Sequence, residues 1–259
     1  MSRIRIDVNG PLLEVTMDHP PANAINEQAS RDLDAAFRRF RDDDALRVCI
    51  VTAAGDRFFT GGWDLKAVAA GEEDEEDFGE GGFMGLTERF DLTKPVICAV
   101  NGMAAGGGFE IALAADIVVA AEHAEFMLPE ALRGFIPEAG GLIRVIRRLP
   151  RNVAIELLIT GRRMSAVEAH RLGFVNHLVA RGQALEKARE IARQIVAAAP
   201  LAVGAILEVA RATEPVSERD AFDVMRSGLP VFTRMRASED RNEGPRSFVE
   251  KRAPVWKGR

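Results

Sequence analysis

Two glutamates of this 259-residue chain lie in apolar sequence surroundings, where an acidic side chain is costly. Glu110 stands at the start of a predicted helix within Phe109–Leu113, and Glu130 directly follows Pro129. Burial raises the pKa of a carboxyl group, and two carboxyl groups that share a site separate into a protonated and an ionised member. Such a pair can add water to an activated double bond, because one group takes a proton from water and the other delivers one to carbon. The alternative is that each acid merely begins a helix.

Two glycine-rich loops contain candidate hydrogen-bond donors for the same chemistry. One loop is Phe58–Lys66, with Gly61 and Gly62, and the other is Asn101–Glu110, with the run Gly106–Gly108. Glycine lets the backbone approach a ligand closely and direct N–H groups at it. One N–H from each loop, aimed at a single oxygen, would form an oxyanion hole, in which each donor lowers the barrier by roughly 2.7–4 kcal/mol. Turns or tight packing are the alternative, because the chain has neither a GxGxxG pattern nor a phosphate loop with its lysine.

Composition argues against several other functions. The formal net charge is -5 with acids and bases intermixed, whereas nucleic-acid binding requires a concentrated basic face. The four histidines show neither HxxxH nor HExxH spacing, so we predict no metal site. Cys49 and Cys98 lie in apolar runs and are expected to be reduced core residues. The chain begins without an apolar leader and lacks a run of about 18 apolar residues, so we expect a cytoplasmic protein with no membrane contact.

The elements that must position these residues alternate between strands and helices in the first part of the chain. Alternation around Asn9-Gly10 predicts a hairpin over residues 3–17. Buried strands are predicted from short apolar runs at 48–53, 96–100, 117–120 and 175–179. The segments between them carry helical spacing, which together with the strands predicts crossover units and parallel sheet.

The second part of the chain predicts helices alone. The pattern that begins at Leu185 indicates an amphipathic helix, and further helices are predicted after Pro200, at 201–212, 217–226 and 238–251. We therefore expect an α/β core with the active site over residues 1–195 and a helical region over 196–259. The acidic, glycine-rich stretch 71–82 is interpreted as a mobile, solvated surface loop.

The motifs occur in an order that resembles the enoyl-CoA hydratase (crotonase) family over nearly the whole chain. They are Phe59–Lys66, Lys94–Gly102, Gly106–Glu110, Ala115–Ile117, Leu128–Glu130, Gly134–Pro137, Ala139–Gly141, Leu158–Gly161, Ala166–Gly173 and Phe248–Arg252. The resemblance implies an α/β fold of the crotonase type, a spiral of ββα units whose C-terminal helical region mediates assembly into homotrimers or hexamers. It also implies an acyl-CoA thioester as the substrate and no separate cofactor, since coenzyme A is part of that substrate.

The resemblance also assigns roles to individual positions. Gly61 and Gly107 match the two main-chain donors of the oxyanion hole, and Glu110 and Glu130 match the two carboxylates of the hydratases. Many relatives with other activities lack one of these carboxylates, so the presence of both favours the addition or removal of water. Coenzyme A binding is implied for Ala22, Asp64, Leu65, Phe248 and Lys251.

One subgroup of the family, whose acyl groups carry a trimethylammonium head, matches further at Gly62–Lys66, Thr160–Met164 and Pro254–Arg259. Such a head binds against aromatic faces or near a carboxylate. Trp63 and Phe83 are the candidate faces and Glu138 the candidate charge, with ordinary core packing and a helix-start acid as the alternatives.

Three functions therefore stay open. The first is a hydro-lyase that acts on a short-chain enoyl-CoA, either of this subgroup or a generic one. The second is an isomerase that moves the double bond with Glu138 or a single glutamate. The third is a protein that binds CoA thioesters or RNA without turnover, against which the acidic balance and the two glutamates argue.

Overall fold

The computed structural model describes residues 3–69 and 78–259, and in these ranges the chain forms two β-sheets and eleven α-helices. The strands are β1 (Ile4–Asn9), β2 (Leu12–Met17), β3 (Val48–Ala53), β4 (Phe58–Thr60), β5 (Val96–Val100), β6 (Met103–Ala105), β7 (Ile117–Ala121), β8 (Glu125–Met127), β9 (Met164–Ser165) and β10 (His177–Val179). The helices are α1 (Glu27–Asp42), α2 (Leu65–Ala69), α3 (Gly107–Ala114), α4 (Gly141–Arg148), α5 (Arg151–Thr160), α6 (Ala166–Arg171), α7 (Ala184–Val196), α8 (Pro200–Thr213), α9 (Glu218–Arg226), α10 (Pro230–Ala237) and α11 (Asp240–Glu250).

The larger sheet has the strand order β1-β2-β3-β5-β7-β10. The predicted hairpin is confirmed: β1 and β2 are antiparallel, and Gly10 at their turn has φ +57°. All later pairs in this sheet are parallel, as the all-apolar runs predict.

Alternate residues of the central strands face two different layers. Cys49 and Cys98 point into the larger core with Phe37 of α1 and Phe109 of α3, so the prediction that both cysteines are core residues is confirmed. Their strand neighbours face a second core, formed with α7 by Val48, Ile50, Ile97, Ala99, Val119, Ala184, Ala188, Ile191 and Ala192. The sheet is therefore covered on both faces, which explains why its strands are apolar throughout.

The smaller sheet has the order β4-β6-β8-β9, with β4, β6 and β8 parallel to one another and β9 antiparallel to β8. The sequence did not predict it, because its strands contain only two or three residues each and show no periodicity.

The last described strand ends at Val179, and α8–α11 make up the region after Val196, as expected for a helical C-terminal part. Helix α10 was missed. The region is joined to the core by Arg211, which pairs with Asp116 at 2.9 Å, and the end of the chain is held at the C-cap of α7 by Trp256, whose Nε1 donates to the Ala197 carbonyl at 2.8 Å. The role of this region in assembly stays a prediction.

In residues 3–69 and 78–259 no single helix is long and apolar enough to cross a membrane; α7 and α8 pass such a test only as a pair, bent by 106°.

The prediction of a mobile, solvated loop covers residues 71–82, of which 71–77 lie outside the described ranges. For Gly81 and Gly82 the prediction of a solvated loop is wrong, because both are buried. The Gly81 N–H donates to the carboxylate of Asp34 at 3.0 Å, and Phe83 follows as part of the core.

Candidate active site

Three parallel strands of the smaller sheet bring the candidate site residues to one edge. The chain leaves β4 into Gly61–Trp63, leaves β6 into Gly106 and Gly107, and leaves β8 shortly before Glu130. Since β4, β6 and β8 are parallel neighbours, their carboxyl ends lie side by side. The Gly106 N–H donates to the carbonyl of Met127 at 2.9 Å, which joins the second and third of these ends directly.

The Gly107 N–H is available for a ligand. Gly106, with φ +53°, turns the chain from β6 into α3, and its carbonyl accepts hydrogen bonds from the N–H groups of Phe109 and Glu110 at 2.8 and 3.0 Å. The N–H of Gly107, the first residue of α3, has no acceptor among the described residues. As a free N–H at a helix N-terminus it also carries the positive end of the helix dipole.

The assignment of Gly61 as the second donor is wrong. Its N–H donates to the carbonyl of Ala22 at 2.8 Å and so is already used within the fold. The next N–H, of Gly62, donates to the Thr60 hydroxyl at 3.1 Å. Trp63 is the first residue of this loop whose N–H lacks an acceptor in the described part of the chain.

The loop of Trp63 lies directly against the start of α3. A methyl group on Gly62, which has φ +80°, would lie 2.8 Å from the Gly107 nitrogen. Only glycine fits at this contact. Trp63 therefore replaces Gly61 as the candidate second donor, two positions further along the chain.

Glu110 is a buried carboxyl group held by one strong hydrogen bond. Its side chain is 4% exposed, and Oε1 accepts from the N–H of Gly141, the first residue of α4, at 2.8 Å. Burial is the largest influence and raises the pKa of Glu110 to about 7, although the Gly141 bond and the charge of Arg144 act in the opposite direction. Near neutral pH the group is thus close to half protonated, which suits a proton donor.

Glu130 begins a 3-10 turn, Glu130–Arg133, and is half-buried. Burial raises its pKa as well, opposed by the Glu130 backbone and the charge of Arg133. Its Oε2 is buried and has no hydrogen-bond partner among the described residues, so it is free to accept a proton or a water.

The two glutamates converge on the same turn. A methyl group on Gly106 would lie 2.7 Å from Oε1 of Glu130, and the N–H of Glu110 donates to the Gly106 carbonyl. The charge of Glu130 contributes to raising the pKa of Glu110, as expected for two carboxyl groups that face one space. The structure thus brings together the two glutamates that the sequence singled out, and their role as an acid–base pair stays a prediction.

The predicted aromatic residues adjoin this pair. The rings of Trp63 and Phe83 meet edge to face with centroids 5.3 Å apart, and Phe78 contacts both, at 5.2 and 5.6 Å. Phe83 lies so close to Gly107 that a methyl group there would fall 2.1 Å from its Cε1. These three rings therefore form one wall beside the free N–H groups.

The other predicted contacts of coenzyme A fall into two sets. Ala22, Asp64 and Leu65 lie at the loop of Trp63, where Asp64 pairs with Arg3 at 3.4 Å and Leu65 is 48% exposed. Phe248 lies on α11 and Lys251 directly follows its end; Phe248 is 85% exposed, and its carbonyl accepts from the Lys251 N–H at 3.2 Å. Their roles in binding stay predictions.

Glu138 lies in the loop between the Glu130 turn and α4, and it is exposed, whereas Glu110 is buried and Glu130 is half-buried. A neighbouring residue that the sequence did not single out is Arg144 of α4. Its guanidinium donates to the carbonyl of Thr87 at 2.5 Å and its charge acts on Glu110. The sequence signal that could have identified Arg144 was its position about one turn after Gly141, but a single arginine in a helix is usually exposed to solvent.

Comparison with known proteins places the chain in a family. The family model "Enoyl-CoA hydratase/isomerase" matches residues 7–259. A protein of Salmonella typhi named carnitinyl-CoA dehydratase is 54% identical over 252 residues, which are 97% of this chain and 97% of that one. Among solved structures, enoyl-CoA hydratase from Mycobacterium tuberculosis H37Rv is 37% identical with a TM-score of 0.92, and carnitinyl-CoA hydratase from Mycobacterium avium is 40% identical with a TM-score of 0.78; each covers 100% of both chains.

The chain belongs to the enoyl-CoA hydratase/isomerase family and has the crotonase fold. The resemblance in the sequence motifs is thereby confirmed, and with it the α/β class of the fold.

We expect that alanine at Gly61 leaves turnover nearly unchanged, whereas alanine at Gly107 lowers it strongly. Gly61→Ala meets only the Ala22 side chain, at 3.5 Å, and leaves the N–H groups of Trp63 and Gly107 in place, so kcat stays within a few-fold of wild type. Gly107→Ala collides with the Phe83 ring and displaces a donor, which lowers kcat by roughly 10²–10³-fold. Steady-state hydration of an enoyl-CoA measures both. An equal loss in both variants would contradict the expectation that the loop keeps its donors in place when a methyl group is added at Gly61.

Glu110→Gln is expected to inactivate the protein and yet stabilise its fold at alkaline pH. The folded-state pKa of Glu110 is raised from 4.5 to about 7, so ionisation in the folded state costs about 3 kcal/mol. That cost is absent at pH values below the pKa of Glu110 in the unfolded state. It grows as the pH rises and is complete above the pKa of Glu110 in the folded state. Glutamine avoids it and still accepts the Gly141 hydrogen bond.

Urea denaturation at about pH 5 and about pH 8.5, at one protein concentration, tests this. The gain in the free energy of unfolding should be about 2 kcal/mol larger at the higher pH. The matched control is Glu122→Gln, which neutralises an exposed glutamate and should give no such difference. A gain independent of pH would mean that Glu110 ionises normally.

Proposed function

We propose that this protein is a hydro-lyase that adds and removes water across the 2,3 double bond of a short-chain enoyl-CoA, with carnitinyl-CoA and crotonobetainyl-CoA as its substrate pair. The observation that carries the proposal is the convergence of a buried carboxyl group, Glu110, and a half-buried one, Glu130, on a turn whose Gly107 N–H has no acceptor among the described residues. The 54% identity to a carnitinyl-CoA dehydratase supports the choice of acyl group.

The two main-chain donors act on the thioester. The N–H groups of Trp63 and Gly107 bind its carbonyl oxygen, and they stabilise the negative charge that grows on this oxygen as the thioester becomes enolate-like. Donors that are fixed before the reaction need no reorganisation, which makes this stabilisation effective. The dipole of α3 adds to it at Gly107.

The carboxyl groups move the protons. In hydration, ionised Glu130 takes a proton from water while the water oxygen forms a bond to C3, and protonated Glu110 gives its proton to C2. Dehydration is the reverse: Glu110 takes the C2 proton, and Glu130 protonates the departing hydroxyl. No step requires a cofactor beyond the coenzyme A of the substrate.

The division of roles follows from the surroundings of each group. Glu110, with its pKa raised to about 7, holds a proton in about half of the molecules at neutral pH and is fixed by Gly141. Glu130 is less buried and has an unpartnered oxygen for water. Migration of the double bond through Glu138 has less support, because that residue is exposed.

The trimethylammonium head is proposed to lie against the wall of Trp63, Phe78 and Phe83. A cation over aromatic faces gains about 0.5–2 kcal/mol, and the chain contains no tyrosine to share this role. The assembly is proposed to be a homotrimer or hexamer built through the C-terminal helices, which is supported by the exposure of Ile206, Phe248 and Val249, at 67%, 85% and 78%.

Glu130→Gln is expected to lower kcat for hydration of crotonobetainyl-CoA by roughly 10²–10⁴-fold, because glutamine cannot take the proton of the attacking water. The measurement is the loss of enoyl-thioester absorbance. Glu138→Gln is the matched control and should keep near wild-type turnover. Full activity of the Glu130 variant would remove this residue from the mechanism.

Trp63→Leu is expected to discriminate between two substrates. The variant keeps the main-chain N–H but loses the aromatic face, so KM for crotonobetainyl-CoA should rise about tenfold while KM for crotonyl-CoA changes little. Trp256→Leu, which removes the other tryptophan, serves as the control. An equal rise for both substrates would show that Trp63 packs the site without recognising the cation.

A further inference from the structure

We infer that Asp34 of α1 is a positioning residue: through a buried ion pair with Arg89 it holds the segment Gly79–Arg89 so that Phe83 closes the acyl pocket beside Gly107. Helix α1 supplies no residue to the acid–base pair or to the oxyanion donors. The inference deepens the proposed function, on which its kinetic consequence rests, and names a determinant of acyl-group specificity.

The ion pair is the most deeply buried one in the described part of the chain. The side chains of Asp34 and Arg89 are 3% and 1% exposed, and Arg89 Nη2 donates to Asp34 Oδ1. The same Oδ1 accepts from the Gly81 N–H at 3.0 Å, while Oδ2 pairs with Arg38 at 3.0 Å. A buried ion pair contributes little net stability as a rule but fixes geometry, because either charge left alone is very costly.

Both ions also hold the backbone of the segment. Arg89 Nε donates to the carbonyl of Gly85 at 2.8 Å. Gly85 lies so close to α1 that a methyl group on it would be 2.4 Å from the Cα of Asp34. The segment is therefore fixed at Gly81 and at Gly85, on either side of Phe83.

A further bond fixes the residue after Phe83. The N–H of Met84 donates to the hydroxyl of Ser30, also on α1, at 2.8 Å. Met84 is fully buried with φ +57°, a left-handed conformation that a residue with a side chain adopts only when its surroundings impose it. The conformation of this segment is thus imposed by α1 and is not intrinsic to the segment.

Phe83 connects this segment to the candidate active site. Its ring contacts Gly107 and meets the ring of Trp63, the two residues whose N–H groups are proposed to bind the thioester. A second bond supports the same segment from α4, since Arg144 donates to the carbonyl of Thr87. Loss of the Asp34 charge would therefore shift the pocket wall, while the main-chain donors and the two glutamates, after β8 and on α3, stay in place.

The test compares two buried carboxylates that each pair with an arginine. Asp34→Asn keeps the size of the side chain and an acceptor for Gly81 but loses the charge. Glu14→Gln is the matched control: Glu14 of β2 is 7% exposed and binds Arg189 of α7 through two hydrogen bonds of 2.7 Å, on the face of the sheet away from the site. Both variants are expected to lose stability, and only the first should change the kinetics.

For Asp34→Asn we expect kcat/KM with crotonobetainyl-CoA to fall roughly 10–10²-fold, mainly through a higher KM. A loss of this size is typical when a group that positions the substrate is displaced by a small distance. Arg89→Gln should behave alike, and the double variant should be no worse than either single one, because the pair acts as a unit. Arg38→Ala, which removes the exposed partner of Asp34, should stay near wild type.

A second readout does not depend on turnover. In a Trp256→Phe background, Trp63 is the only tryptophan, and its emission reports the contact with Phe83. We expect a shifted emission in Asp34→Asn and none in Glu14→Gln. If Asp34→Asn does not fold, Ser30→Ala, which releases Met84, should give a smaller shift in the same direction.

Unchanged Trp63 emission, or equal kinetic losses in the Asp34 and Glu14 variants, would overturn the inference and reduce Asp34 to a structural residue. If the wild-type protein hydrates no enoyl-CoA, the proposed function fails, whereas the emission shift would still establish the positioning role.

Discussion

The removal of the Glu110 carboxyl group from water governs the chemistry of the site. A glutamate at a helix start would ordinarily be ionised, since the helix dipole and a backbone N–H both favour the charge. Here burial outweighs these influences, and the pKa of Glu110 rises to about 7. The same space contains Glu130, whose charge further opposes ionisation of Glu110. Two chemically identical side chains thereby lie in different surroundings, and the more deeply buried Glu110, with its pKa near 7, can both hold and release a proton near neutral pH.

The smaller sheet makes this arrangement possible. Its strands contain only two or three residues each, yet three parallel ends deliver two loops and a glutamate to a single edge. The close packing of these ends excludes side chains at Gly62 and Gly107, and the amides of Trp63 and Gly107 have no acceptor among the described residues. A main-chain donor cannot be moved by a rotamer change, so the proposed oxyanion site is placed as precisely as the sheet itself.

The sequence predicted what depends on the pattern of apolar residues and missed what depends on hydrogen bonds between segments that are distant in the chain. The strands Val48–Ala53 and Val96–Val100 were found because both of their faces are buried, and Glu110 and Glu130 stood out as acids among apolar residues. The second donor was misplaced at Gly61, since no pattern distinguishes an N–H used by Ala22 from a free one two residues later. The burial of Gly81 was missed for a similar reason, because its partner Asp34 is 47 residues away.

The two parts of the site are under different constraints. The acid–base pair and the donors are built on strand ends and helix starts, which cannot shift without disturbing the core. The wall of Phe78 and Phe83 is built on a glycine-rich segment whose conformation is imposed through α1. Changes in that segment, or in the residues of α1 that hold it, can therefore alter which acyl group fits while leaving the proton transfers intact. In a family whose members act on different acyl-CoA thioesters, this separation gives a physical reason to seek substrate specificity in the segment and not in the two glutamates.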